Sequence, residues 1–253
     1  LNEALEYVEK NLNYSDPFGA NTYISYAKGL NKAFKSHKEK LGRTINYGCT
    51  SHMSTVDSEG NMVSLTYTLL NRFGSKVVLP RTGVLMNNSV SYFDPRPGYP
   101  TSMAGGKRIN SSNMCPTICV KNGEAKFAVG ASGANHIVPC TMELTAFLID
   151  YGLSLEDAFN LPRIDVNETD LITVDPNLGE ETINQLSRHF KINVAQNLVF
   201  PKLYSCPSGV YRDNKKGKTF GISDKNSPSS GAVSEGLHDF TETAQGMNNV
   251  PRA

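Results

Sequence analysis

The chain opens on helical periodicity. Leu1, Leu5, Val8 and Leu12 recur on one helical face, and Ile24, Ala27, Leu30 and Phe34 on another. Tyr14 to Gly19, made of turn residues, separates the two helices. The basic run from Lys35 to Lys40 suits the C-terminus of the second, where cations meet the negative end of the helix dipole. A linker, Gly42 to Cys49, follows.

From Thr50 the period changes to two. Thr50–Val56 and Met62–Leu70 flank Asp57-Ser58-Glu59-Gly60-Asn61, a hairpin signal with a glycine able to take positive φ. A three-residue loop with Gly60 left-handed sets Asp57 opposite Asn61, Val56 opposite Met62, Ser54 opposite Ser64 and Thr50 opposite Thr68. Cross-strand partners share a face. One face then carries Thr50, His52, Ser54, Ser64, Thr66 and Thr68. The other carries Met53, Val63, Leu65, Tyr67 and Leu69 and reads as apolar core. So many hydroxyls on one face exceed what packing alone requires.

A Gly/Asn/Pro/Ser-rich stretch from Thr82 to Pro116 comes next, and loops this long in a compact domain are often functional. Strands are expected at Thr117–Val120 and Ala125–Val129 around a turn at Lys121–Glu124. The second strand runs into Gly130-Ala131-Ser132-Gly133-Ala134-Asn135. A helix follows through Met142, Thr145, Leu148 and Ile149, stopped by Gly152. Ser154-Leu155-Glu156-Asp157 has the form of a capping box. A further helix is expected over Glu181–Phe190, and strands near Ile192–Val199, Gly209–Arg212 and Thr219–Ser223. The tail beyond Ser227 is expected to fray. Helices and strands come in blocks, which points to a layered α+β fold rather than a doubly wound sheet.

At 253 residues the chain makes one large domain or two small ones. Charged residues are 19% and the net charge is +1, so there is no electrostatic footprint for nucleic acid or a membrane surface. No apolar run reaches the roughly 18–20 residues of a spanning helix. The five cysteines are Cys49, Cys115, Cys119, Cys140 and Cys206, sparse and odd in number, and read as free thiols. The five histidines are scattered, with no metal-ligand spacing. There is no phosphate-binding glycine motif, and Gly130-Ala131-Ser132-Gly133 is one residue short of a nucleophile elbow. No cofactor is expected.

The distinctive block is Cys49-Thr50-Ser51-His52-Met53-Ser54-Thr55-Val56-Asp57, followed by Gly60-Asn61-Met62-Val63-Ser64 and Thr66-Tyr67-Thr68. It resembles the start of the small subunit of the γ-glutamyltranspeptidases, written T-[TS]-H-x-[ST]-V-x-D. Further blocks agree in order: Phe73-Gly74-Ser75, Gly83 to Asn88, Phe93-Asp94-Pro95-Arg96-Pro97-Gly98, Lys107-Arg108, Met114 to Ile118, Gly130 to Ile137, Asp150 to Leu153, Pro162-Arg163, and Gly221 to Asp224. The likeness covers about residues 14–235.

The resemblance implies an N-terminal-nucleophile hydrolase with an αββα four-layer sandwich: two stacked, mostly antiparallel sheets flanked by helices. It implies a precursor that cuts itself between Cys49 and Thr50. Residues 1–49 then correspond to the helical end of a large subunit, whose remainder the sequence does not contain, and 50–253 to the small catalytic subunit. Thr50 is the implied nucleophile. Its freed α-amine, of reference pKa roughly 7.7–8.0, serves as base. Thr68 orients it, and the backbone N–H groups of Gly133 and Ala134 form the oxyanion hole. Ser112 and Asn113, with Ser111 able to replace either, match the pair that receives the substrate α-carboxylate. Asn71 lies beside the position of a substrate-binding Asn. The implied substrates are glutathione or another γ-glutamyl amide, with water, an amino acid or a short peptide as acceptor. The remaining large subunit is the implied partner. Members of the family are placed in the periplasm or outside the cell; the chain itself leaves the compartment open.

Some positions depart from the family pattern. Tyr92 stands where an Asp usually holds the substrate α-ammonium, with Asp94 the nearest acid. Leu70 takes the place of the Asn after the second Thr, Ala134 that of the second glycine, and His136 that of an Arg. Three readings therefore stand: a γ-glutamyltransferase or hydrolase, an acylase of glutaryl or cephalosporin type on the same scaffold, and a non-catalytic relative.

Overall fold

The structure, a computed structural model, describes residues 2–41, 48–98, 102, 113–167, 170–198 and 202–235. The two N-terminal helices are α1 (Asn2–Asn11) and α2 (Ala20–Leu41), packed side by side. Tyr23, Tyr26, Ala27 and Leu30 of α2 are buried at helical spacing, and Tyr26 meets Phe147 edge-on.

The hairpin follows: β1 (Thr50–Val56) and β2 (Met62–Thr68), antiparallel, with Thr50 opposite Thr68, Ser54 opposite Ser64 and Val56 opposite Met62. Gly60 is left-handed, with φ +93°, and Asp57 accepts from the Asn61 N–H at 2.8 Å. The three-residue loop therefore sets the expected register.

β3 (Thr117–Lys121), β4 (Glu124–Ser132), β8 (Cys206–Asp213) and β9 (Lys218–Ser223) form an antiparallel sheet in the order β3-β4-β8-β9. One side of this sheet is covered by α3 (Ile137–Ile149) and α4 (Leu155–Asn160). The capping box at Ser154 forms as the sequence indicates: its Oγ accepts from the Asp157 N–H. The hairpin packs across the other side, over β4 and β8. β4 lies between both layers, and Phe127 to Ala131 are all buried. Two sheets are thus stacked with helices outside one of them, an α+β architecture.

The sequence pattern marks no strand at β5 (Ile164–Val166) or β6 (Leu171–Val174), yet both form a third sheet with β7 (Lys191–Val194). β5 and β6 are antiparallel, β6 and β7 parallel. α5 (Glu180–Ser187) crosses between β6 and β7. β5 and most of β6 are buried without alternation, so no period of two appears in them.

The hairpin face expected to be core is not core here. Met53, Val63 and Tyr67 are 49%, 53% and 55% exposed, and Leu65 is exposed too. The hydroxyl face points inward. Two contacts account for this. Ser64 Oγ donates to the Val129 carbonyl at 3.1 Å. The His52 ring lies against Gly130, where an added Cβ would come within 2.3 Å of His52 Cε1. Polar groups can face a sheet when each finds a partner. Residues 42–47 of the expected linker, the block Lys107-Arg108, Ser111, Ser112 and the tail beyond residue 235 lie outside the described residues.

Candidate active site

The inward face of the hairpin gathers the first group of residues. The β1–β2 register puts Thr50 beside Thr68, and the Thr50 hydroxyl donates to Thr68 Oγ at 3.3 Å. Thr68 Oγ in turn donates to the Cys49 carbonyl at 3.1 Å and accepts from the Leu70 N–H at 2.9 Å. The Cys49 carbonyl takes a second bond from the Leu69 N–H at 3.3 Å. The peptide oxygen just before Thr50 thus has two donors on it. A proton path runs from Thr50 Oγ through Thr68 Oγ to that oxygen.

His52 continues the same face. Its Nδ1 is 2.8 Å from Thr66 Oγ and its Nε2 is 2.9 Å from Ser54 Oγ. Burial lowers its pKa to about 4, so the ring is neutral at neutral pH. Both nitrogens are occupied by hydroxyls. The ring is placed to hold the hairpin to β4, not to take a proton from Thr50.

The second group sits where β4 ends. Gly133 has φ +140° and Ala134 φ +53°, followed by a 3-10 turn over Ala134–His136 that leads into α3. The chain before Thr50 comes directly against this turn: a Cβ built on Gly48 would lie 3.1 Å from Ala134 Cβ and 3.5 Å from Ala134 N. Ala134 is therefore next to Gly48, two residues before Thr50. Asn113 reaches the same turn, its Nδ2 donating to Asn135 Oδ1 at 3.2 Å.

The third group is the loop after β2. Leu70 is buried with φ +68°, and half-buried Ala134 is also left-handed, a conformation uncommon outside glycine. Both flank Thr50 and Thr68 in the chain or in space. Asn71 N–H donates to Asn88 Oδ1 at 3.0 Å, while Asn71 Oδ1 is buried with no hydrogen-bond partner among the described residues. Tyr92 is buried, and burial raises its phenol pKa, so it supplies no charge. Asp94 is only 2% exposed and accepts from the Arg96 backbone N–H at 2.9 Å, Nε at 2.9 Å and Nη2 at 2.6 Å. This Asp-Pro-Arg clamp pairs the Asp94 carboxylate with a guanidinium two residues on. Asp94 is the nearest acid in the sequence, but only the geometry shows that Arg96 neutralises it.

A further pairing has no local signal in the sequence. His136 Nδ1 lies 2.8 Å from Asp165 Oδ2, across 29 residues of chain.

Stacked sheets, an inward-facing threonine pair and a left-handed turn beside it fit the class of N-terminal-nucleophile hydrolases. A family model described as "Gamma-glutamyltranspeptidase" matches residues 5–234, and the chain belongs to that family. It is similar to the "Glutathione hydrolase proenzyme" of Escherichia coli strain K12, 34% identical over 164 residues, covering 58% of this chain and 28% of that protein. It is also similar to the "Acylase ACY 1 proenzyme" of Pseudomonas sp. strain SE83, 41% identical over 115 residues, covering 46% and 20%. In fold it resembles the γ-glutamyltranspeptidase of Pseudomonas nitroreducens complexed with L-DON, with TM-score 0.58 at 24% identity over 73% of this chain and 100% of that one. The chain spans well under half the length of these two curated relatives.

Proposed function

We propose that the protein is a self-activating N-terminal-threonine enzyme that moves a γ-glutamyl group from glutathione-like amides to water, an amino acid or a short peptide. The observation that carries this reading is the hydrogen-bonded run from Thr50 Oγ through Thr68 Oγ to the Cys49 carbonyl. In the first step Thr50 Oγ attacks the Cys49 carbonyl carbon. Its proton passes to Thr68 Oγ as the Thr68 proton passes to the carbonyl oxygen. As the C–N bond breaks, that new hydroxyl gives up its proton to the Thr50 nitrogen, leaving an ester between Cys49 and Thr50 Oγ and a free amine. Water hydrolyses it to a Cys49 carboxylate, a free Thr50 hydroxyl and a free Thr50 amine.

That amine then serves as the base for the second reaction. Thr50 Oγ attacks the γ-glutamyl amide, and the oxyanion lies against the N–H groups of Gly133 and Ala134. The leaving amine takes a proton and departs, and the acceptor releases the acyl group. Asn113, with Ser112 and Ser111, would receive the substrate α-carboxylate. Asn71 Oδ1, an acceptor without a partner among the described residues, is available to the α-ammonium. Residues 1–49 would end the large subunit and 50–253 would form the small one. The rest of the large subunit would complete a four-layer sandwich over the exposed face of the hairpin.

A second reading, an acylase preferring a glutaryl-type group, is favoured by the Asp94–Arg96 clamp and by Tyr92. With that carboxylate neutralised, an ammonium group finds no free negative charge from Asp94. Parallel hydrolysis of γ-glutamyl and glutaryl anilides decides between the two. Faster turnover of the γ-glutamyl anilide supports the first reading; faster turnover of the glutaryl anilide replaces it with the second.

A further inference from the structure

Within the turn that begins at Gly133, the His136 N–H donates to the Gly133 carbonyl at 3.1 Å. The left-handed Ala134 costs about 1–2 kcal/mol relative to ordinary backbone, so the surroundings must fix it. Two side chains of the turn reach outward. Asn135 accepts from Asn113, whose own loop runs into β3. His136 meets Asp165 on β5 at 2.8 Å, which ties the turn to a different sheet.

The surroundings of Asp165 make His136 its direct partner. Asp165 is buried, and burial raises its pKa while the His136 contact lowers it. Glu143 of α3 faces the same region, accepting from the Ile164 N–H at 3.0 Å. Burial pushes the Glu143 carboxyl well above the usual range, so it is held neutral. Arg163, just before β5, turns its Nη1 to Cys140 Sγ at 3.3 Å and its Nη2 toward Asp224 at 3.7 Å. Tyr204, ahead of β8, donates to the Ala195 carbonyl.

We propose that His136 and Asp165 are positioning residues: their contact pins the Gly133–Ala134 turn to β5 and so aims its N–H groups at the reacting carbonyl. The proposal rests on the role given to Gly133 and Ala134 above. The chemistry sets a geometric requirement, because a donor displaced by about 1 Å can cost roughly 10²-fold in rate. Asparagine places a side-chain N–H near the position of imidazole Nδ1. Glutamine places it near Nε2, and leucine supplies none.

The test is hydrogen exchange of the 130–138 segment in the full gene product, compared among the unaltered protein, His136→Asn, His136→Gln and His136→Leu. Turn amides exchange faster in the Leu and Gln variants, with α4 and the β8–β9 pair unchanged, and His136→Asn restores protection. Acylation by a γ-glutamyl or glutaryl anilide falls about 10²-fold in the same two variants, in kcat rather than KM. If His136→Leu does not fold, His136→Gln carries the comparison. Unchanged exchange in the variants, or Asn no better than Gln, overturns the proposal. So does a loosened turn with an unchanged acylation rate. An unaltered protein that neither cleaves itself nor turns over substrate, but shows the predicted exchange pattern, overturns the reading of the site while supporting the His136–Asp165 pin.

Discussion

Thr68 stands between the nucleophile and the bond it would cut, with one proton to give and two to receive. It gives to the Cys49 carbonyl and receives from Thr50 Oγ and the Leu70 N–H. Valine has the same shape and none of these bonds. Thr68→Val should slow self-cleavage by about 10²–10³-fold, the usual cost of one oxyanion donor. It should also cost about 1–3 kcal/mol of stability, because the Leu70 N–H loses its acceptor. Cleavage followed by gel, and thermal unfolding, read the two effects separately. Ala134 offers the opposite experiment. Ala134→Gly keeps the N–H and removes a left-handed Cβ strain of about 1–2 kcal/mol, against an entropic cost of about 0.4–1 kcal/mol. The variant should unfold at the same temperature or higher, with acylation undiminished. A fall in both would show that the methyl packs against Gly48 to some purpose.

The hairpin acts as a unit, and its placement depends on one close approach. His52 lies where a Cβ on Gly130 would stand, and its two nitrogens are held by Thr66 and Ser54. Gly130→Ala should cost about 1–3 kcal/mol by overpacking. His52→Ala should recover much of that loss in the double variant, since the two sites touch. Acid gives a second handle. The folded pKa of His52, about 4, is below the ordinary histidine value of 6.5. The unfolded chain therefore binds the proton more readily. The contribution of His52 is fully present above pH 6.5 and is lost as pH falls toward 4. Unfolding temperature against pH should drop more steeply over that window in the unaltered protein than in His52→Ala.

Several of these features are legible in the sequence. Gly60 fixes the loop length, and loop length fixes which residue faces which, so the Thr50–Thr68 pairing can be counted out. The face that turns inward cannot. Hydrophobicity assigns a core face only when the covering layer is in the chain, and among the described residues nothing covers Met53, Val63, Leu65 and Tyr67. β5 and β6 are too short and too uniformly buried to show a period. The His136–Asp165 contact joins distant segments through one hydrogen bond, which no local pattern encodes. The Asp94–Arg96 clamp is local, but only its geometry shows that the carboxylate is already neutralised.

At the scale of the whole molecule, the hairpin leaves Met53, Val63, Leu65 and Tyr67 exposed on one face. Exposed β-branched and aromatic side chains on one strand pair mark an interface. Its occupant, on the reading above, is the rest of the large subunit, which the curated relatives have room for. Tyr67→Asp on that face should leave the hairpin register intact and weaken the association of the two pieces after cleavage. Native mass spectrometry would show separated pieces for the variant and a joined pair for the unaltered protein; a joined pair in both would argue against this covering layer.

The central claim is that Thr50 becomes a chain terminus by its own chemistry. The denatured intact mass of the full gene product, beside that of Thr50→Ala, tests it most directly. Self-cleavage gives two masses that place the break between Cys49 and Thr50, and a single uncut mass in the variant. One uncut mass from folded protein in both would contradict it and leave the hydroxyl-lined hairpin as architecture without catalysis.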